Sequence, residues 1–254
     1  MAKIPCHPPS EFPPGLLRLS APAENMAEET NLPAGHTIWL TAPTPRPIPD
    51  KIVRHKLVVA GPPKSGKTKS LMAFAHGTWF DDHPYRAAVF EPYITDTEVD
   101  GTHVELVLTE APANEDYLRL RPLSYQDASV VVLAFAIDRP ESLEDACAFW
   151  VSEATHYCPD VPTVLVGLKE DLRRDPLTIR ELAKRDQNPV SYQQGLAAAR
   201  YVGAAAYVEF SAKTGEGVQT AFEAAEKLAL YWPGEPRKQA LGGKNPLKGA
   251  CSVM

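Results

Sequence analysis

The 254-residue sequence predicts an α/β domain built on a doubly wound, mostly parallel sheet, and three observations predict it. Short apolar runs alternate with helically patterned segments across residues 51–232, the signature of βα units. One of those runs, Lys56-Leu-Val-Val-Ala60, leads straight into a glycine-bearing loop, Gly61-Pro62-Pro63-Lys64-Ser65-Gly66-Lys67-Thr68, which opens a helix. Composition leaves room for a full core, since 44% hydrophobic and 23% charged residues are ordinary for a soluble domain.

Residues 1–50 hold 11 of the 25 prolines and close on Pro43-Thr-Pro45-Arg-Pro47-Ile-Pro49. Proline at alternate positions withholds amide donors and favours extended backbone, so a stiff or disordered N-terminal extension is expected. It reads as a spacer or as a ligand for an aromatic-grooved adaptor domain. Residues 56–60 then form a buried strand and residues 68–76 a helix. Residues 95–102 read as strand and turn, with Asp100-Gly101 a hairpin signal into a strand over 104–108. Residues 130–137, 163–166 and 206–210 are further buried strands. Val218, Phe222, Ala225 and Leu228 recur at helical spacing and predict a core-packing C-terminal helix. Past Trp232-Pro233 the chain becomes a glycine- and lysine-bearing flexible tail, residues 233–254.

The bulk properties exclude several classes. A net charge of −6 argues against non-specific nucleic-acid binding, which favours a basic face. No apolar run approaches the roughly 20 residues that span a bilayer, and the first residues lack a signal-peptide core. Cys6, Cys147, Cys158 and Cys251 form no CxxC pair, which suits a reduced cytosolic compartment.

Chemistry is concentrated in the glycine loop. Gly61-x4-Gly66-Lys67-Thr68 matches the phosphate-binding P-loop, and its place between a strand and a helix is the context that motif requires. Phosphates need a ring of backbone N–H donors, a helix N-terminus and one lysine charge. All amides from Lys64 to Thr68 are available, and neither Pro62 nor Pro63 interrupts that run.

At the right distance beyond this loop lies Glu115-Asp-Tyr-Leu-Arg-Leu-Arg-Pro-Leu-Ser-Tyr125. With these two motifs the chain resembles a Rho-family small GTPase over about residues 53–232 and the last four residues. The resemblance implies a Ras-like P-loop G domain holding GTP or GDP at the carboxyl ends of the strands. It implies nucleotide contacts from Gly61, Lys64, Ser65, Gly66, Lys67 and Thr68, with Thr68 also a Mg²⁺ ligand. Lys169-Glu170-Asp171 and Ser211-Ala212-Lys213 stand where the family recognises guanine. Asp171 would accept both guanine ring donors, and Lys169 would lie along the ring face. Residues 172–187, with the run Arg180-Glu-Leu-Ala-Lys184, resemble the Rho-type insert helix, either a partner site or a solvated face. Phe90, Tyr93, Tyr117, Leu120 and Leu123 fall on the surface that effector and regulatory proteins grip in the family; core packing is the alternative for Phe90 and Leu123.

The chain departs from the family in its base motif, both switches and the phosphate loop. Leu168 replaces the base-motif asparagine, and a lost hydrogen bond of that kind costs roughly 1–3 kcal/mol. Ala88 replaces the first-switch threonine, the second metal ligand. Glu110-Ala-Pro-Ala-Asn114 replaces the family's Asp-Thr-Ala-Gly-Gln. Glu110 is one methylene long for a water-mediated metal contact, and Ala113 restricts a backbone that glycine leaves free. Asn114, the candidate catalytic residue, is one methylene short of the water-orienting glutamine, and Pro63 crowds the γ-phosphate side. Two readings result. One is a Rho-type GTP-binding switch with impaired hydrolysis; the other is a pseudo-GTPase, a membrane-tethered interaction module with no nucleotide cycle.

The last four residues, Cys251-Ser-Val-Met254, fit a prenylation signal, with terminal methionine favouring farnesyl on Cys251. One isoprenoid gives marginal membrane residence and wants a second signal. Arg237, Lys238, Lys244 and Lys248 against Glu235 leave the tail at only +3. The expected location is the cytoplasmic face of a membrane, with a soluble cytosolic pool.

Overall fold

A computed structural model describes residues 34–45, 53–77 and 92–232. Strands β2 (Val53–Ala60), β4 (Thr102–Glu110), β5 (Val130–Ala136), β6 (Thr163–Leu168) and β7 (Ala206–Phe210) run parallel. Strand β3 (Tyr93–Val99) adds antiparallel beyond β4, and β1 (Ile38–Trp39) adds antiparallel beyond β7, for the order β1-β7-β6-β5-β2-β4-β3.

Period-2 alternation on a sheet buried on both faces explains the continuous apolar runs. On β5, Val130, Val132 and Ala134 join one core cluster, while Val131, Leu133 and Phe135 join the other. Helices α1 (Lys67–His76) and α6 (Val218–Tyr231) cover the first face through Leu71, Phe222 and Leu228. Phe74 stacks on Phe222 at 4.1 Å between ring centroids, joining those two helices. The second face is covered by α2 (Pro140–Asp145), which passes through a π-helical turn at Ala146–Trp150 into α3 (Val151–Tyr157), and by α5 (Tyr192–Tyr201). Asp100 and Gly101 take φ of 48° and 81°, the left-handed pair that a two-residue hairpin turn demands.

The segment matched to an insert helix is shorter than 172–187. A single 3₁₀ turn (Glu170–Arg173) precedes α4 (Pro176–Ala183), whose first N–H groups are capped by Asp175, with Thr178 N–H donating to its carboxylate at 2.7 Å. Only Leu182 of α4 is buried; Leu177 is 71% exposed.

The proline-rich extension departs from expectation at Ile38–Trp39, which joins the sheet as β1, and the residues on either side are bonded to β7 and its approach. Leu40 and Thr41 N–H both donate to Ala205 O, at 2.8 and 2.9 Å, and Gly35 N–H donates to Glu209 O at 2.7 Å. Trp39 packs on one core cluster, Ile38 and Leu40 on the other. The outer edge of β7 would otherwise present unpaired backbone groups, and this segment covers it. The first-switch positions Ala88 and Phe90, and the tail with Cys251, lie outside the described residues.

Candidate functional site

The site is assembled where β2, β4, β6 and β7 end. Gly61 leaves β2 with φ of 149°, and a Cβ there would stand 2.2 Å from Ala134 O, so the loop must turn off the sheet on a glycine. Lys64 (φ 63°) and Gly66 (φ 109°) complete the reversal into α1. The fully buried Ser65 hydroxyl donates to Pro62 O at 2.9 Å and braces the loop from inside. Pro62 therefore supports the loop through its carbonyl. The loop's outer side is held from elsewhere, since Arg139 donates to Pro63 O at 2.8 Å.

Lys67 is 3% exposed and points back into this loop, donating to Pro62 O at 2.9 Å. Burial pushes its ammonium down to about 8, against the opposing pull of Glu110. Glu110, at the end of β4, accepts from the Thr68 hydroxyl at 2.5 Å and lies 3.8 Å from the Lys67 ammonium. The extra methylene that sets Glu110 apart from the family's aspartate thus spans the gap to α1. Two hard oxygens, the Thr68 hydroxyl and the Glu110 carboxylate, converge beside the phosphate lysine, a donor set that fits Mg²⁺ completed by phosphate and water. Among the described residues no group of three His, Cys, Asp or Glu side chains forms a metal cage of its own.

Downstream of Glu110 the chain is anchored by a buried ion pair that sequence reading missed. Arg121, 2% exposed, pairs with Glu153 on α3 at 2.7 Å, donates to Pro112 O at 3.3 Å and lies 4.6 Å above the Trp150 ring. Tyr125 donates to the same Glu153 at 2.8 Å. Asn114 is exposed and occupied locally: its Oδ1 caps the 3₁₀ turn at Glu115–Tyr117 by accepting from Asp116 N–H at 3.1 Å, and its Nδ2 donates to Asp116 at 2.9 Å. Leu118, Leu120 and Leu123 are about half exposed beside it (48%, 47% and 52%), so the core alternative for Leu123 does not hold.

The residues expected to recognise the base come together from two loops. Lys169 takes a left-handed φ of 63°, which sets its side chain against Gly66, and its ammonium pairs with Asp138 at 3.0 Å. Asp171 accepts from the Ser211 hydroxyl at 2.6 Å, joining the loop after β6 to the loop after β7. Ser211 and Ala212 are buried and Lys213 exposed, beside a cavity of about 310 Å³ bounded by Phe74, Gly77, Lys213 and Gly215. Arg173 clamps the arrangement from behind, donating to both carboxylate oxygens of buried Glu209 at 2.6 Å. Leu168 is 3% exposed and belongs to the apolar core, its Cδ1 3.7 Å from where a Gly66 Cβ would stand. It therefore braces the phosphate loop by packing.

Phosphate loop, acidic residue at the end of β4 and the two base loops all lie at one end of the sheet. The Ras family model matches residues 56–230. GTP-binding protein rho1 of Schizosaccharomyces pombe is 47% identical over 202 residues, covering 80% of this chain and 98% of that protein. The chain belongs to the Rho group of the Ras family. This Rho-family chain is also 46% identical to GTP-binding protein rho5 of Schizosaccharomyces pombe, covering 70% of the chain and 88% of the relative. It is 48% identical to GTP-binding protein RHO1 of Saccharomyces cerevisiae, covering 70% and 84%.

Proposed function

We propose that this Rho-family protein is a guanine-nucleotide-binding, prenylated signalling switch with impaired GTP hydrolysis. The observation that carries the reading is the convergence of Lys67, Thr68, Asp171 and Ser211 on one end of the sheet, with the Asp171–Ser211 hydrogen bond already made. Lys67 and the amides of Lys64 to Thr68 bind phosphate, while Asp171 and the loop at Ser211 select guanine over adenine. Mg²⁺, when bound at Thr68 and Glu110, supplies charge neutralisation for the phosphates. The Thr68 hydroxyl, which donates its hydrogen to Glu110, would keep an oxygen lone pair for the metal, and the Lys67 ammonium, with three N–H donors, would have two left for phosphate beside the one on Pro62 O.

A second reading, the pseudo-GTPase interaction module, draws on the way Glu110 engages both Thr68 and Lys67, which lets the chain satisfy its own ligand-binding groups. Denaturing the purified protein and chromatographing what it releases separates the two. Stoichiometric GDP or GTP supports the switch; a folded protein that releases none and takes up none supports the module.

Guanine affinity reports on position 168. Restoring an amide with Leu168→Asn is expected to tighten GDP binding roughly ten- to a hundredfold, the worth of one hydrogen bond to the base. It should also lower the melting temperature, because Leu168 leaves an apolar cluster. Titration showing no gain would mean that the amide cannot reach the base from this buried position.

Attachment to the cytoplasmic face of a membrane through farnesyl on Cys251 belongs to the same proposal, with effector and regulatory proteins engaging the half-exposed Leu118, Leu120 and Leu123. No described helix is long and apolar enough to cross a membrane. Cell fractionation of Cys251→Ser should find the protein fully soluble; an unchanged membrane fraction would assign its location to a partner.

A further inference from the structure

We propose that residues 34–41 are a strap that positions the guanine-recognition loop, residues 211–217, and so sets how long a guanine nucleotide stays bound. The inference rests on the guanine-nucleotide reading above and adds the N-terminal extension to that site. The strap abuts both ends of the loop. Upstream, Gly35 N–H donates to Glu209 O at 2.7 Å, two residues before Ser211. Downstream, the Gly35 backbone lies against Gly217, the N-cap of α6: a Cβ on Gly35 would stand 2.4 Å from Gly217 Cα, and one on Gly217 would stand 2.3 Å from Gly35 N. Both glycines have positive φ, 82° and 76°, so neither site tolerates a side chain by backbone or by space.

The loop between these contacts is closed on itself. Ser211 N–H donates to Glu216 O at 3.1 Å, Gly215 N–H to Ser211 O at 3.0 Å, and Thr214 N–H to the Ser211 hydroxyl at 3.2 Å. That hydroxyl in turn donates to Asp171 at 2.6 Å. A displacement at Gly217 or Glu209 therefore reaches Ser211, and through it the carboxylate that reads guanine. The strap is itself fixed along its length, with Leu40 and Thr41 bonded to Ala205 and Trp39, half-buried, packed against the core. It completes a loop otherwise supported from the protein interior by Arg173 on Glu209.

The test uses full-length protein loaded with fluorescent GDP, comparing the parent with Gly35→Ala and with Gly101→Ala. Gly101 has a matching φ of 81°, nothing within 4 Å of its Cβ position and a place at the opposite edge of the sheet, so it controls for backbone strain alone. Gly35→Ala should release GDP roughly tenfold faster, the loss of about one good hydrogen bond to the base. Amide exchange across 211–217 should rise with it, and Gly101→Ala should match the parent in both. Should Gly35→Ala fail to fold, Ile38→Ala, which only trims packing behind the strap, should still accelerate release and exchange. Parental release rates in the strap variants, or equal acceleration by Gly101→Ala, would overturn the strap. If the parent itself retains no guanine nucleotide, the functional reading fails separately, and unchanged exchange at 211–217 in the strap variants would then overturn the inference too.

Discussion

Lys67→Ala is expected to abolish tight guanine-nucleotide binding while leaving the fold intact. Removing one partner of a buried charge pair costs about 2–5 kcal/mol, which is roughly thirty- to several-thousandfold in Kd. Lys67 belongs at the upper end, since it is 3% exposed and its ammonium is the one charge the phosphate loop turns inward. The nucleotide-free fold has little to lose. Burial holds the Lys67 ammonium at about 8, below its ordinary 10.5, so the folded state disfavours that charge. The sign follows from linkage: an ammonium depressed by folding destabilises the fold fully below pH 8 and progressively less from 8 to 10.5, where only the unfolded chain stays protonated. Nucleotide-free Lys67→Ala should therefore melt no lower than the parent at pH 7, and the parent should gain on it as pH rises to 10.5. GDP affinity of the parent should fall as pH passes 8, because phosphate binds the charged form. Isothermal titration and thermal melts across pH 7–10 check both, and a Lys67→Ala protein that holds GDP like the parent would place the phosphates elsewhere.

How much of this was legible in the sequence depends on whether a signal was local. Buried strands such as β5 announce themselves because both faces are covered, and the loop from Gly61 to Thr68 because phosphate chemistry fixes its spacing. The hairpin at Asp100-Gly101 was legible for the same reason: left-handed φ at two successive positions admits few residues. Ser191 and Gln194 form a capping box that opens α5, a three-residue spacing that sequence reading passed over. The strap was not legible. Ile38 and Trp39 are too few to alternate, they sit in a proline-rich context, and their partners Tyr207 and Ala206 lie far along the chain. Buried pairs such as Arg121–Glu153 and Arg173–Glu209 were missed because a charged residue in sequence reads as surface until the fold supplies its partner. Leu168 was legible as a departure from the base motif, but its placement as a core residue under Gly66 needed coordinates.

Hydrolysis should be slow, and restoring any single position should leave it slow. Sensing the γ-phosphate requires a first-switch hydroxyl on the metal, a mobile second-switch amide and an oriented water, all at once. Ala88 offers no hydroxyl, and Ala113 limits the amide. Asn114 is not free to orient water while it caps its own turn, with both side-chain atoms engaged by Asp116. Asn114→Gln alone should release that cap, because a longer side chain no longer fits the turn, yet the metal would still lack its first-switch ligand. Ala88→Thr alone would restore the ligand with no water held in line. Pro63, fixed by Arg139 at its carbonyl, crowds the same space in every variant. Combining Ala88→Thr, Ala113→Gly and Asn114→Gln should raise single-turnover GTP hydrolysis well beyond the product of the three single effects, since residues that act as a unit are non-additive. The comparison is made with saturating Mg²⁺ in the parent, the three singles and the triple. Simple multiplicativity would show that the three positions act independently. A parent already as fast as ordinary small GTPases would show that these substitutions leave the chemistry intact.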